Sequence, residues 1–179
     1  MKVTKIPIEF HGGILPTKGS RYAAAYDVYV PEDFEITKKR FVVPLGFCIE
    51  LPIGWKANIR PRSGFSAKGM EAVVRTTYRR YNGEEYVSED NIRIDADVLL
   101  GLVDSDYRDD VGVIVRINEL DAVATQKHEF DTVVENHVYF AKSTRIAQME
   151  ICGGFCELQV VDKINRDIDR GGGFGHTGV

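Results

Sequence analysis

The sequence has a single tryptophan, three cysteines and four histidines among 179 residues. It also lacks any long uncharged run. A membrane-crossing helix needs about 20 consecutive apolar residues, so none is expected. The opening residues, MKVTKIPIEF, carry no apolar stretch of the kind a secretory signal requires. A soluble, cytoplasmic protein without membrane association is the expectation. Cys48, Cys152 and Cys156 form an odd set, which argues against a secreted disulfide framework. The segment CGGFC has half the look of a metal knuckle, but no second ligand pair follows at useful spacing, so ordinary half-buried thiols are expected. Positive charge is not in excess either. With 23 basic against 27 acidic residues the net charge is -4, which repels a phosphate backbone and disfavours direct nucleic-acid binding.

Helical periodicity is scarce, and a period of two dominates instead. In DVGVIVRI, Val111, Val113, Val115 and Ile117 point one way, with Gly112, Ile114 and Arg116 between them. Similar β-rich segments recur in FVVPLGFCIELP, WKANIRP, DVLLGLV, HVYFA, RIAQMEIC and FCELQVV, separated by Pro44, Gly46, Pro52, Gly54 and the pair Gly153–Gly154. Many short strands with frequent turns predict an all-β sandwich or jelly-roll barrel in one domain. One short helix is expected near SGFSAKGMEA, with Ser63 or Ser66 as its cap. Two stretches stand outside this strand framework, near 71–95 and 118–137; the first has an expected hairpin turn at Asn82–Gly83. Residues 1–169 form the predicted β domain. The last ten, RGGGFGHTGV, have too little apolar surface to order themselves and are expected to be a mobile arm.

Several polar constellations interrupt the apolar pattern. Asp104, Asp106 and Tyr107 lie where one strand gives way to the next, and a carboxylate there either polarises a water or only shapes a turn. Arg60, Arg62, Ser63 and Gly64 sit at the entry to the short helix, a place that favours anions, although a basic turn is more often plain solvated surface. Arg145 and Gln148, three apart in a strand-like run, should occupy opposite faces of the pleat. In the tail, Arg170, Phe174 and five glycines, Gly175 among them, suit a phosphate chain and a stacked base, or else a plain terminus.

Taken in order, AAAYDV, RPRSGFSAKG, GLVDSDYRDDVGV, STRIAQMEI and RGGGFGHTG resemble the five motifs of the trimeric dUTPase family, from Ala23 to the C-terminus. That resemblance implies a jelly-roll β-barrel, a homotrimer with active sites shared between subunits, and hydrolysis of dUTP to dUMP and pyrophosphate. It implies that Asp104 activates the water attacking the α-phosphorus and that Tyr107 packs beneath the deoxyribose. A β-hairpin leading into Asp104 would read uracil through its backbone. Arg62, Ser63, Gly64 and Gln148 would hold phosphates, Phe174 and Gly175 would close over the nucleotide, and Arg170 would reach the γ-phosphate. Asp27 and Arg145 would support the site. Mg²⁺ would be carried by triphosphate and water, with no direct protein ligand. Ala25 and Asp109 replace glycines usual in the family, Val98 replaces a usual Asn or Gly, and the Arg170–Phe174 spacing is about one residue short. Two other readings use the same scaffold: a dCTP deaminase or bifunctional enzyme, distinguished by ammonia release, and a regulatory module that binds a protein partner through the two insertions.

Overall fold

The computed structural model describes residues 3–118, 131–153 and 156–169. Within them the chain is built from fourteen strands and one short helix. The strands are β1 (Thr4–Phe10), β2 (Tyr26–Tyr29), β3 (Phe34–Glu35), β4 (Arg40–Pro44), β5 (Phe47–Ile49) and β6 (Lys56–Arg60). After helix α1 (Ser63–Lys68) come β7 (Met70–Arg79), β8 (Glu85–Ile94), β9 (Ala96–Val98), β10 (Gly101–Val103), β11 (Gly112–Ile117), β12 (Thr132–Phe140), β13 (Arg145–Cys152) and β14 (Cys156–Val160). They pair as four small sheets, in the orders β14-β1-β5, β10-β6-β13-β2, β4-β11-β9 and β3-β12-β7-β8. Every pairing is antiparallel except β1 with β14.

Alternation explains the core. On β11, Val113, Val115 and Ile117 are buried while Arg116 is exposed, as period two requires. Ile6 and Ile8 of β1, Ala57 and Ile59 of β6, and Ile146 and Met149 of β13 complete the apolar centre. Each buried aliphatic side chain of this kind contributes about 1.5–3 kcal/mol relative to exposure. No helix among the described residues is long and apolar enough to cross a membrane.

Three local expectations change. The cap of α1 is Arg62, whose extended backbone (φ -82°, ψ 138°) makes no side-chain cap bond, and Ser66 Oγ donates to the Arg62 carbonyl instead. The stretch near 71–95 is not outside the strand framework: β7 and β8 pair without a slip from Met70↔Ile94 to Arg79↔Glu85. The Asn82–Gly83 turn closes this hairpin, with Gly83 at φ 87°. Its alternation was masked by polar partners, because Thr76 is fully buried and Tyr78 stacks on Tyr86 at 5.4 Å. Of the second stretch, 119–130 lie outside the described residues, and β12 takes up the chain from Thr132.

The turn between β4 and β5 is held by close backbone approach. His11 N and Gly13 N both donate to the Gly46 carbonyl, at 2.7 and 2.9 Å. Gly46 has φ 67°, and a β-carbon there would come within 2.7 Å of the Gly13 nitrogen. Gly46→Ala therefore combines left-handed strain with a backbone collision. Urea unfolding should show a loss of at least about 1–3 kcal/mol; an unchanged midpoint would contradict this account of the turn.

Candidate active site

Asp27 lies on β2 with only 5% of its surface exposed. One carboxylate oxygen accepts from Arg62 Nε and from Gln148 Nε2, each at 3.2 Å. The other is 3.5 Å from Arg145 Nη1. Arg62 also donates to the Arg145 carbonyl at 3.2 Å and lies over the Phe65 ring, 5.2 Å from its centroid. A buried carboxylate is tolerated only when paired and hydrogen-bonded in this way. Three residues expected from sequence thus meet around the Asp27 carboxylate, itself the fourth.

Arg145 and Gln148 do not take opposite faces. On β13 the register passes from Arg145↔Tyr29 to Ala147↔Val28, so Ile146 is the extra residue of a β-bulge. The bulge absorbs one position and returns both side chains to the Asp27 side. Strict alternation had no means of seeing it.

Arg62, Gly64 and Arg145 line a groove of about 220 Å³ with Phe65, Lys68, Glu71 and Arg93. Its charged groups are four cations and one carboxylate, so an otherwise acidic chain has gathered positive charge here. Ser63, exposed, opens α1 beside it. Lys68 and Arg93 escaped sequence reasoning because a lone lysine and one arginine among many charges give no pattern.

Asp104 and Tyr107 sit elsewhere. Asp104, half-buried, follows the end of β10. Tyr107 is 7% exposed and its hydroxyl donates to the Asp110 carbonyl at 2.9 Å. Neither lines the groove. Register explains the separation. Val103 pairs with Ala57, whereas Gln148 pairs with Arg60 and Asp27, so Asp104 and the Asp27 cluster lie towards opposite ends of β6. At about 3.4 Å per residue, the Ala57 and Arg60 rows are about 10 Å apart along the strand. The expected hairpin before Asp104 is a corner between sheets: β9 pairs with β11 and β10 with β6. Arg170, Phe174 and Gly175 lie outside the described residues.

The Asp104 turn is held by two routes that sequence reasoning missed. Buried Arg108 donates to the carbonyls of Ser105, Tyr107 and Asn165 at 2.8, 2.9 and 2.6 Å. His11 bridges Asp110 and Glu9 at 2.8 and 3.0 Å. Glu9 also accepts from Ile164 N and Arg166 Nη1 at 2.8 and 3.0 Å, fixing the segment before the tail. The hydrogen bond from Ile164, reinforced by His11 and Arg166 against the cost of burial, holds the Glu9 carboxyl down at about 2. Hydrogen bonds to Glu9 first and Asp110 second push His11 upward. Ligand-type atoms of Glu9, His11 and Cys48 lie within 4.8 Å of one another. The Arg166 guanidinium already supplies the cation there, 3.6 Å from Cys48 Sγ, and burial pushes that thiol up to about 11, which keeps it protonated and a poor metal ligand.

A dUTPase family model matches residues 12–92. A deoxyuridine 5'-triphosphate nucleotidohydrolase from Syntrophotalea carbinolica is 30% identical over 169 residues, covering 92% of this chain and 89% of that protein. One from Gloeothece citriformis is 30% identical over 181 residues, covering 100% of this chain and 97% of its own. A mutant dUTPase of Staphylococcus bacteriophage 80alpha with dUpNHpp shares the fold at a TM-score of 0.57 and 18% identity, covering 97% of this chain and 98% of that one. A dUTPase from phage phi11 of S. aureus does so at 0.57 and 13%, covering 89% of this chain and 97% of that one. The fold is the jelly roll of these proteins.

His11 needs both ring nitrogens protonated to donate to Glu9 and Asp110 together. Because the folded state raises its pKa, its stabilising effect is complete below the ordinary 6.5 and is lost as pH rises through the folded value. Glu9 behaves oppositely: its contribution is present above 4.5 and lost as pH falls towards about 2. Between about pH 6 and about pH 9 the thermal midpoint should therefore fall more steeply in the wild type than in His11→Gln. Parallel curves would remove His11 from this role. Sequence similarity across nearly the whole chain, together with the shared fold, makes this protein a member of the dUTPase family.

Proposed function

We propose that the protein is a dUTP nucleotidohydrolase, cleaving dUTP to dUMP and pyrophosphate. The observation that carries this reading is the Asp27 cluster, which organises Arg62, Arg145 and Gln148 beside a cationic groove. Guanidinium groups held in place before substrate arrives cost no reorganisation as phosphate charge shifts towards a leaving pyrophosphate. The full-length relatives named for the same activity support it.

In this mechanism Arg62, Gln148, Ser63 and the Gly64 backbone bind phosphate oxygens, while Asp27 orients Arg62 and Gln148. Asp104 takes a proton from the water that attacks the α-phosphorus. The new bond is water oxygen to phosphorus, the bond broken links the α-phosphorus to its bridging oxygen, and the electron pair leaves with pyrophosphate. Tyr107, packed into its own chain, forms a wall under the sugar that rejects a 2′-hydroxyl. Mg²⁺ fits as an ion carried in by the triphosphate, because the groove is lined mainly by cations and the Asp27 carboxylate is already engaged. Carried by the triphosphate, the ion would neutralise phosphate charge, and the arginine side chains complete that neutralisation from the protein side.

The separation of Asp104 from the groove supports sharing of each site between subunits of a homotrimer. One chain then offers its Asp104 turn while another offers its groove. Arg170, Phe174 and Gly175 of the tail complete the enclosure, with phosphate approach through glycine backbone and a ring over uracil. The two insertions are candidates for a protein partner.

Asp104→Asn should retain dUTP binding and oligomer mass while kcat falls by about 10²–10⁴-fold. Near-normal turnover would withdraw Asp104 as the base, and Asp106→Asn serves as the neighbouring control. UTP should be a poor substrate, with Tyr107→Ala narrowing the preference for dUTP. Removing residues 170–179 should leave thermal stability nearly unchanged and reduce turnover by about 10²-fold. Full activity in that truncation would mean that the tail has no part in the reaction.

A further inference from the structure

Part of the groove lining has no role in the mechanism above. Arg93, Lys68 and Glu71 line it together with Arg62 and Arg145. Arg93 belongs to β8 and Glu71 faces it across the ladder from β7, both at the root of the hairpin. That root is rigid. Gly69, which ends α1, packs so closely that a β-carbon on it would stand 2.8 Å from the Ile94 carbonyl oxygen. Arg93 Nη2 donates to Glu71 at 2.7 Å, and Nη1 reaches the Lys68 carbonyl at 3.5 Å. The guanidinium is thus held against the C-terminal end of α1, on the groove that Arg62 and Arg145 also line.

The Arg93–Glu71 pair is solvent-exposed on both sides, with side chains 49% and 65% accessible. Exposed pairs of this kind contribute about 0–1 kcal/mol, so a more highly charged anion can displace the carboxylate. A terminal phosphate offers several oxygens and a higher charge, and a guanidinium can bind two of those oxygens at once. Glu71 then serves to hold Arg93 in position while the groove is empty.

We propose that Arg93, with Lys68, forms the outer end of the phosphate site and takes the pyrophosphate portion of the substrate, so that the hairpin contributes directly to substrate affinity. This rests on the dUTP reading for the identity of the substrate, but not for the anion chemistry.

Inorganic pyrophosphate binding by calorimetry tests it on the full chain, beside the KM for dUTP and product inhibition by pyrophosphate and dUMP. Arg93→Ala should weaken pyrophosphate binding and raise the KM roughly tenfold, the scale of one charge-assisted contact. The inhibition constant should rise for pyrophosphate and stay put for dUMP, which has no phosphates beyond the α position. Arg93→Lys should restore part of the loss, and Glu71→Gln, which frees the guanidinium, should tighten pyrophosphate. Arg79→Ala, which breaks the Arg79–Glu85 pair at the far end of the hairpin, is the control for folding. Pyrophosphate binding in Arg93→Ala equal to that of the wild type and of Arg79→Ala would overturn the proposal. A chain that binds pyrophosphate through Arg93 but never hydrolyses dUTP would instead defeat the activity reading and leave the anion site standing.

Discussion

A carboxylate buried between two strands governs the architecture of the groove. Asp27 is desolvated, and an isolated charge in such a place would be too costly to keep. Its three partners come from two parts of the chain: Arg62 before α1, and Arg145 and Gln148 on β13. Satisfying the anion fixes the direction of two guanidinium groups that would otherwise sweep through solvent. The β13 bulge is part of the same solution, since without the extra residue Arg145 and Gln148 would not share a face. Removing one partner of such a cluster costs about 3–5 kcal/mol, because the remaining charge stays buried.

The Asp104 turn is stabilised by a different design. Here the groups to be satisfied are backbone carbonyls, and one buried guanidinium, that of Arg108, accepts the task for three of them. Because one of those carbonyls belongs to Asn165, the turn and the segment preceding the tail are tied together. Glu9 ties them again, through His11 to Asp110 on one side and through Ile164 and Arg166 on the other. The Asp104 turn and the segment around Ile164 and Arg166 therefore rest on a common support at the end of β1.

The Asp104 turn and the Asp27 cluster lie towards different ends of β6. A jelly roll made of short strands offers functional residues at strand ends, and those ends point away from each other. Assembly of several chains is a direct way to bring one end of one copy to the other end of the next. The hairpin of β7 and β8 adds to the groove end only, through the residues at its root.

Much of this was legible beforehand. Period two located the strands, and the breaks in it located Asp104, Tyr107 and the entry to α1, because a polar residue at a strand end interrupts an apolar pattern that solvent-facing alternation cannot explain. Arg62, Arg145 and Gln148 stood out in the residue pattern, and Asp27 came from the order of the motifs. Their mutual arrangement did not, since a bulge is a one-residue event in hydrogen-bond register and leaves no compositional trace. The β7–β8 hairpin was read as an excursion because buried Thr76 and the stacked tyrosines fill inward positions with polar or amphipathic side chains. Arg93 joined the groove, and Arg108 tied the Asp104 turn to Asn165, through contacts between segments distant in sequence. The sequence by itself determined which segments are strands and which side chains are available for chemistry, both being local properties of residue type and spacing. Only the tertiary structure decided which of those side chains share a charge, because long-range pairing and register set which ones meet.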